Sequence, residues 1–208
     1  MSVKSVVGIL GFTCFTAGVA LGHNGENHGQ GISVQPTSVT APEIPLEFGG
    51  GFELVNHHGE TVTDRSYAGK HMLVFFGYAS CKNMCSITLT RIGKALELIG
   101  EDVNRLSPVV ITVDPERDTP EAMRNDLAKY HSQLIGHTGN PEQLQAAYDA
   151  FSQQPQSAGT DWNNDPIISH SSYIFLMDAD GDFVTLFPPI LNPQSMADII
   201  SKHLGSAS

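Results

Sequence analysis

The chain has 208 residues, with 22 acidic against 11 basic side chains and a formal net charge of -11 at pH 7. That balance argues against nucleic acid and anionic membrane surfaces as partners. The length allows one ordinary domain with tails, and no heptad, solenoid or other repeat is visible.

Residues 1–22 read as an export segment: Lys4 supplies a basic start, residues 6–19 are apolar or small, and Ala20-Leu21-Gly22 offers small residues for cleavage. A cleaved signal peptide and a retained membrane anchor both fit, and each takes the remaining chain out of the cytoplasm. Thr13 is too bulky for a lipoprotein signal at Cys14. Residues 23–47 are polar and proline-bearing, without periodicity, and read as a flexible linker in which His23 and His28 are polar filler.

A domain spanning 48–205 follows. It opens with two short strands joined at His58-Gly59, a hairpin whose His57 and His58 are expected at an exposed turn. Met72 to Phe76 is an apolar run suited to a buried strand, and Gly77 ends it. Beyond Cys81 and Cys85, Ile87, Ile92, Leu96 and Ile99 recur at helical spacing, predicting a helix to about Gly100. If its first turn includes Cys81, both sulfurs share one face, and the unpaired N–H groups there stabilise a thiolate.

The cysteine arithmetic sharpens this. Of 3 cysteines, Cys14 lies in the export segment, which leaves Cys81 and Cys85 in the exported body. A loop that short is a poor structural staple, because disulfide stabilisation grows with loop length. The pair is therefore a functional dithiol: a soft metal clamp, a redox couple, or both.

Pro108 to Val113 is a second buried strand, and Asp114 to Pro120 is dense in turn signals. Thr119 should cap the next helix, with Pro120 and Glu121 in its first turn, while Arg117 and Asp118 fix the loop. Leu134 to Gly139 is a short strand, residues 141–154 a helix opened by Pro141, and Gln153 to Pro166 a long loop holding Trp162. Ile167 to Met177 reads as one strand, Asp178 to Asp182 as a hairpin turn, and Phe183 to Phe187 as its return. A last helix should stop at Gly205. The series predicts an α/β domain: a central mixed sheet flanked by helices, with an N-terminal β-hairpin. A dithiol between the first parallel strand and its helix is the thioredoxin-like placement.

Three segments, GYASCKNMC at 77–85, VDPERDTPE at 113–121 and HSSYIFLMDADG at 170–181, resemble the Sco (SenC/PrrC-like) family. The resemblance covers about residues 48–204. It implies a thioredoxin-fold copper protein that helps assemble the copper centre of cytochrome c oxidase. By resemblance Cys81, Cys85 and His170 are the copper ligands, Asp114 lies in a loop near them, and the protein works in the periplasm or from the inner membrane facing it. Implied partners are a copper-site subunit of cytochrome c oxidase or another copper chaperone. Two thiolates and an imidazole form a soft, low-coordinate set suited to Cu(I), and one able to hold Cu(II) with a further donor. The family's prolines beside both cysteines are replaced by Lys82 and Ser86. A thiol–disulfide oxidoreductase using Cys81 and Cys85 is the competing expectation. His131, His137 and His203 are expected to play no ligand role, and a monomer is expected because no long apolar run calls for a partner.

Overall fold

In a computed structural model of the chain, residues 47–78 and 84–206 are described. The expectations for residues 1–46, and for Cys81 and Lys82, fall outside them. The N-terminal hairpin pairs β1 (Glu53–Asn56) with β2 (Thr61–Thr63). Then come β3 (His71–Gly77), α1 (Met84–Ile99), a 3-10 segment over Gly100–Arg105, β4 (Leu106–Thr112), α2 (Pro120–Leu127), β5 (Ile135–Thr138) and α3 (Pro141–Ala150). The remainder is β6 (Gln156–Thr160), β7 (Pro166–Ser169), β8 (Ile174–Met177), β9 (Phe183–Phe187) and α4 (Pro193–Ser206).

Seven strands form one mixed sheet in the order β2-β1-β5-β4-β3-β8-β9. The centre, β3, β4 and β5, is parallel, and the strands next to it, β1 and β8, run antiparallel to it. This is a thioredoxin-like α/β fold. Every residue of β3 and β4 is buried, the expected state of parallel strands covered on both faces, and the reason their sequences are continuous apolar runs. Thr119 caps α2 by accepting the Ala122 N–H, and Asn140 caps α3 in a reciprocal box with Gln143.

Helix α1 buries Cys85, Leu89, Ile92, Leu96 and Ile99, a 3.6-residue stripe, and packs against α4. Ile87, predicted on that stripe, lies 46% exposed; the stripe begins two residues earlier, at Cys85. Gly93 sits where α1 approaches the chain after α2, and a Cβ there would lie 2.4 Å from the Tyr130 carbonyl oxygen. Helix propensity alone favours alanine by about 1 kcal/mol. Overpacking against backbone costs about 1–3 kcal/mol, and a carbonyl cannot rotate away as a side chain tip can. Gly93→Ala should therefore lower the urea midpoint. A raised midpoint would mean that α1 moves freely off Tyr130.

Four expectations need correction. Gln153 to Pro166 is no plain loop: β6 and β7 form a separate antiparallel ribbon, with Trp162 92% exposed at its turn. Every residue of β6 is exposed, so no apolar alternation marks it. The predicted strand over 167–177 is two strands in different sheets, parted at His170–Tyr173. His57 is buried, because β1 lies between β2 and β5 and its ring meets the Gly136 N–H of β5. Helix α4 continues through Gly205 to Ser206.

Candidate metal and thiol site

The central strand β3 delivers the buried Tyr78 just past its end. Cys85 is the second residue of α1 and only 2% exposed. From the other side, the chain leaving β7 places His170 at the break before β8.

The two predicted side chains, 85 residues apart in sequence, meet: Cys85 Sγ and His170 Nε2 are 3.4 Å apart. The other ring nitrogen, Nδ1, lies 2.9 Å from the Ser171 carbonyl oxygen. A carbonyl only accepts, so Nδ1 carries the proton and the neutral ring presents the Nε2 lone pair to the sulfur. Fixing a ligand's tautomer through its far nitrogen is the usual way to orient an imidazole toward a metal. The rings of Phe75 and Tyr78 stand edge-on to His170, with centroids 6.4 and 6.3 Å away.

The donors also fit a metal in separation. Thiolate and imidazole bonds of ~2.3 and ~2.0 Å put sulfur and nitrogen roughly 3.5 Å apart at a tetrahedral angle. Among the described residues no group of three or more His, Cys, Asp or Glu side chains converges on one point. The third predicted donor, Cys81, lies outside them, as does the expectation that both sulfurs share a helical face.

The loop after β4 supports this arrangement. Thr112 Oγ1 donates to the buried Asp118 carboxylate at 2.7 Å and accepts the Asp114 N–H at 2.9 Å. Tyr148 donates to the Thr112 carbonyl at 2.8 Å. Burial, and then the Asp114 charge, push its phenol up to about 12, so it stays a donor at any physiological pH. Arg117 pairs with Asp114, reaches the Pro166 carbonyl at 3.3 Å, and lies with its guanidinium 5.5 Å from the centre of the Tyr78 ring. It therefore ties the loop to the start of β7 and to an aromatic wall of His170. The loop-fixing part of Arg117 and Asp118 is where the sequence places it. Tyr78 escaped the sequence reading because one aromatic residue after a strand carries no periodic signal.

Arg117→Gln tests the clamp. The Arg117 side chain is 28% exposed and that of Asp114 7%, so solvent screening limits the loss to about 1–3 kcal/mol. Proteolysis between residues 153 and 169 should quicken several-fold. A lower urea midpoint with unchanged ribbon protection would reduce Arg117 to a local prop for Asp114.

A thioredoxin-like domain with a helix-start cysteine against an imidazole of fixed tautomer defines a class of thiol and metal-binding proteins. Within that class the family is identified by comparison: the family model described as SCO1/SenC matches residues 40–205, and the chain belongs to this family. A SCO2-like protein of Rickettsia conorii is 31% identical over 178 residues, covering 80% of this chain and 87% of its own. Copper-bound ScoI of Bradyrhizobium japonicum is similar in structure, with TM-score 0.69, 33% identity, and coverage of 75% of this chain and 99% of its own. Copper-bound yeast Sco1 matches with TM-score 0.70 and 26% identity over 78% of this chain and 91% of its own. No helix among the described residues is long and apolar enough to cross a membrane.

Proposed function

We propose that this protein is a copper chaperone that binds copper through Cys81, Cys85 and His170 and delivers it to, or prepares the copper site of, a membrane cytochrome c oxidase subunit. The observation that carries the reading is the approach of Cys85 Sγ to the His170 Nε2 lone pair at 3.4 Å. The copper-bound relatives share this fold. Copper is the cargo, so binding must be firm yet reversible. Soft thiolates favour Cu(I), and the imidazole supplies the borderline donor that also serves Cu(II). In this reading residues 1–22 export the chain and serve as a signal or tether, 23–47 are the linker, and 48–205 are the copper-binding domain. The protein works outside the cytoplasm as a monomer. The recipient is the oxidase subunit itself or another copper chaperone.

The test is to titrate the reduced chain and its disulfide form with Cu(I), desalt, and count the metal. One copper per reduced chain and none on the disulfide form supports the proposal, because only reduced thiols ligate. A reduced chain that retains no copper, yet exchanges with a disulfide substrate, would make it a thiol–disulfide oxidoreductase acting through Cys81 and Cys85.

A further inference from the structure

His170 packs against Phe75 and Tyr78, toward the finishing end of β3. The starting end of the parallel strands holds a second cleft of about 390 Å³, bordered by Lys70 before β3, Leu106 to Pro108 of β4, and Leu134 and Ile135 at β5. Its titratable lining is one-sided: His57, His58, Lys70 and Arg124, beside neutral amides and hydroxyls. Among the described residues no Asp or Glu lines it. In a chain with twice as many acids as bases, such a lining runs against composition. The field at His57 agrees. Burial, then His58 and Arg124, all hold its imidazole below the ordinary range, and no carboxylate figures among the causes.

The two histidines show which sign of ligand suits the cleft. His57 Nδ1 accepts the Gly136 N–H at 3.2 Å, so the proton of the neutral ring sits on Nε2. That Nε2–H faces His58 Nε2 at 3.1 Å. A metal ion here would need lone pairs on both Nε2 atoms, and the Gly136 contact denies it one. An anion needs a donor, and His57 is held as one. Its present acceptor, His58, is an exposed residue, so its ring can give way to a better acceptor. Arg124 and Lys70 form no ion pair with a carboxylate among the described residues, although Lys70 also borders a neighbouring cleft lined by Asp64 and Asp178.

We propose that this cleft is a binding site for a small, multiply charged oxyanion, held by Lys70 and Arg124 as charges and by the His57 Nε2–H as a directed donor. The site is separate from Cys85 and His170, and it does not depend on copper being the cargo.

The test is a titration of the isotope-labelled full chain with inorganic phosphate at constant ionic strength, following the Gly136 amide and the His57 and His58 ring signals by NMR. Saturable shifts at these groups, with the His170 signals still, are expected. Arg124→Gln should weaken binding at least ten-fold, and its exposed position keeps the fold intact. Lys129→Gln, on the chain just beyond α2 and outside the cleft, should leave binding as it was. Shifts that never saturate, an Arg124→Gln chain that binds like the parent, or equal weakening by Lys129→Gln would each overturn the site in favour of diffuse charge screening.

Discussion

His170→Ala is expected to yield its copper to a competing chelator while its cysteines still exchange with disulfides. In the proposed set the imidazole is one of three donors, and its tautomer is already fixed by the Ser171 carbonyl. Disturbing a residue that merely orients a metal ligand typically costs 10–100-fold in affinity. Removing the ligand itself should cost at least about 100-fold, roughly 2.8 kcal/mol. A two-thiolate remnant would still bind Cu(I), but weakly enough to yield it to a competing chelator. Exchange depends first on thiolate at Cys81 or Cys85, and His170 contributes only a hydrogen-bonding partner to Cys85. Its rate should therefore fall no more than several-fold. Competition with a Cu(I) chelator and an exchange assay on one preparation separate the two effects. Equal copper affinity in parent and variant would remove His170 from the ligand set and leave the Cys85–His170 contact as a thiol device. A collapse of exchange alongside intact copper binding would argue for the oxidoreductase.

How far the fold can be read from the residues depends on which physical signal each segment carries. Strands β3 and β4 are legible because burial on both faces leaves continuous apolar runs. The helix starts are legible because Thr119, Pro120 and Pro141 carry chemistry that works locally. The β6–β7 ribbon is not, since its first strand buries nothing and its turn is held by Asp161 accepting the N–H groups of Asn163 and Asp165. His170 could be found only through the HSSY segment. Read by periodicity it belongs to a strand, whereas the chain breaks there and passes from the ribbon to the main sheet. His57 shows the same limit from the other side. A histidine pair at a hairpin turn looks exposed until β5 is known to lie beside β1. Contacts such as Arg117 with Pro166 join residues 49 apart in sequence, and no local pattern encodes them.

The second large expected effect is acid destabilisation through His137, which sequence reasoning set aside as a non-ligand and the fold turns into a pH-sensitive core residue. His137 is fully buried in β5. Its Nδ1 lies 3.1 Å from the Ile135 carbonyl oxygen, and its Nε2 lies 2.7 Å from the Tyr67 hydroxyl. The carbonyl must accept, so Nδ1 carries the proton and Tyr67 donates to Nε2. Protonating Nε2 would turn that acceptor into a donor inside the core. Burial first, and then the nearby His57, lower the His137 pKa from 6.5 to about 4, although the Ile135 bond acts the other way. The unfolded chain thus takes up a proton near pH 6.5 that the folded chain refuses until about pH 4. Between those values the unfolded state binds more protons, so stability is complete above about 6.5 and falls as pH drops toward 4. At about 1.4 kcal/mol per pH unit, the loss attributable to this residue approaches roughly 3 kcal/mol. His57 and His71, both shifted downward chiefly by burial, act in the same direction. Urea unfolding of the parent and of His137→Gln at pH 7.5, 6.0 and 4.5 isolates the effect, because glutamine can still accept from Tyr67 but does not titrate. The variant should start less stable at pH 7.5 and show a visibly shallower decline on acidification. Parallel declines would mean that the acid response comes from other groups and that the Tyr67–His137 contact tolerates the charged ring.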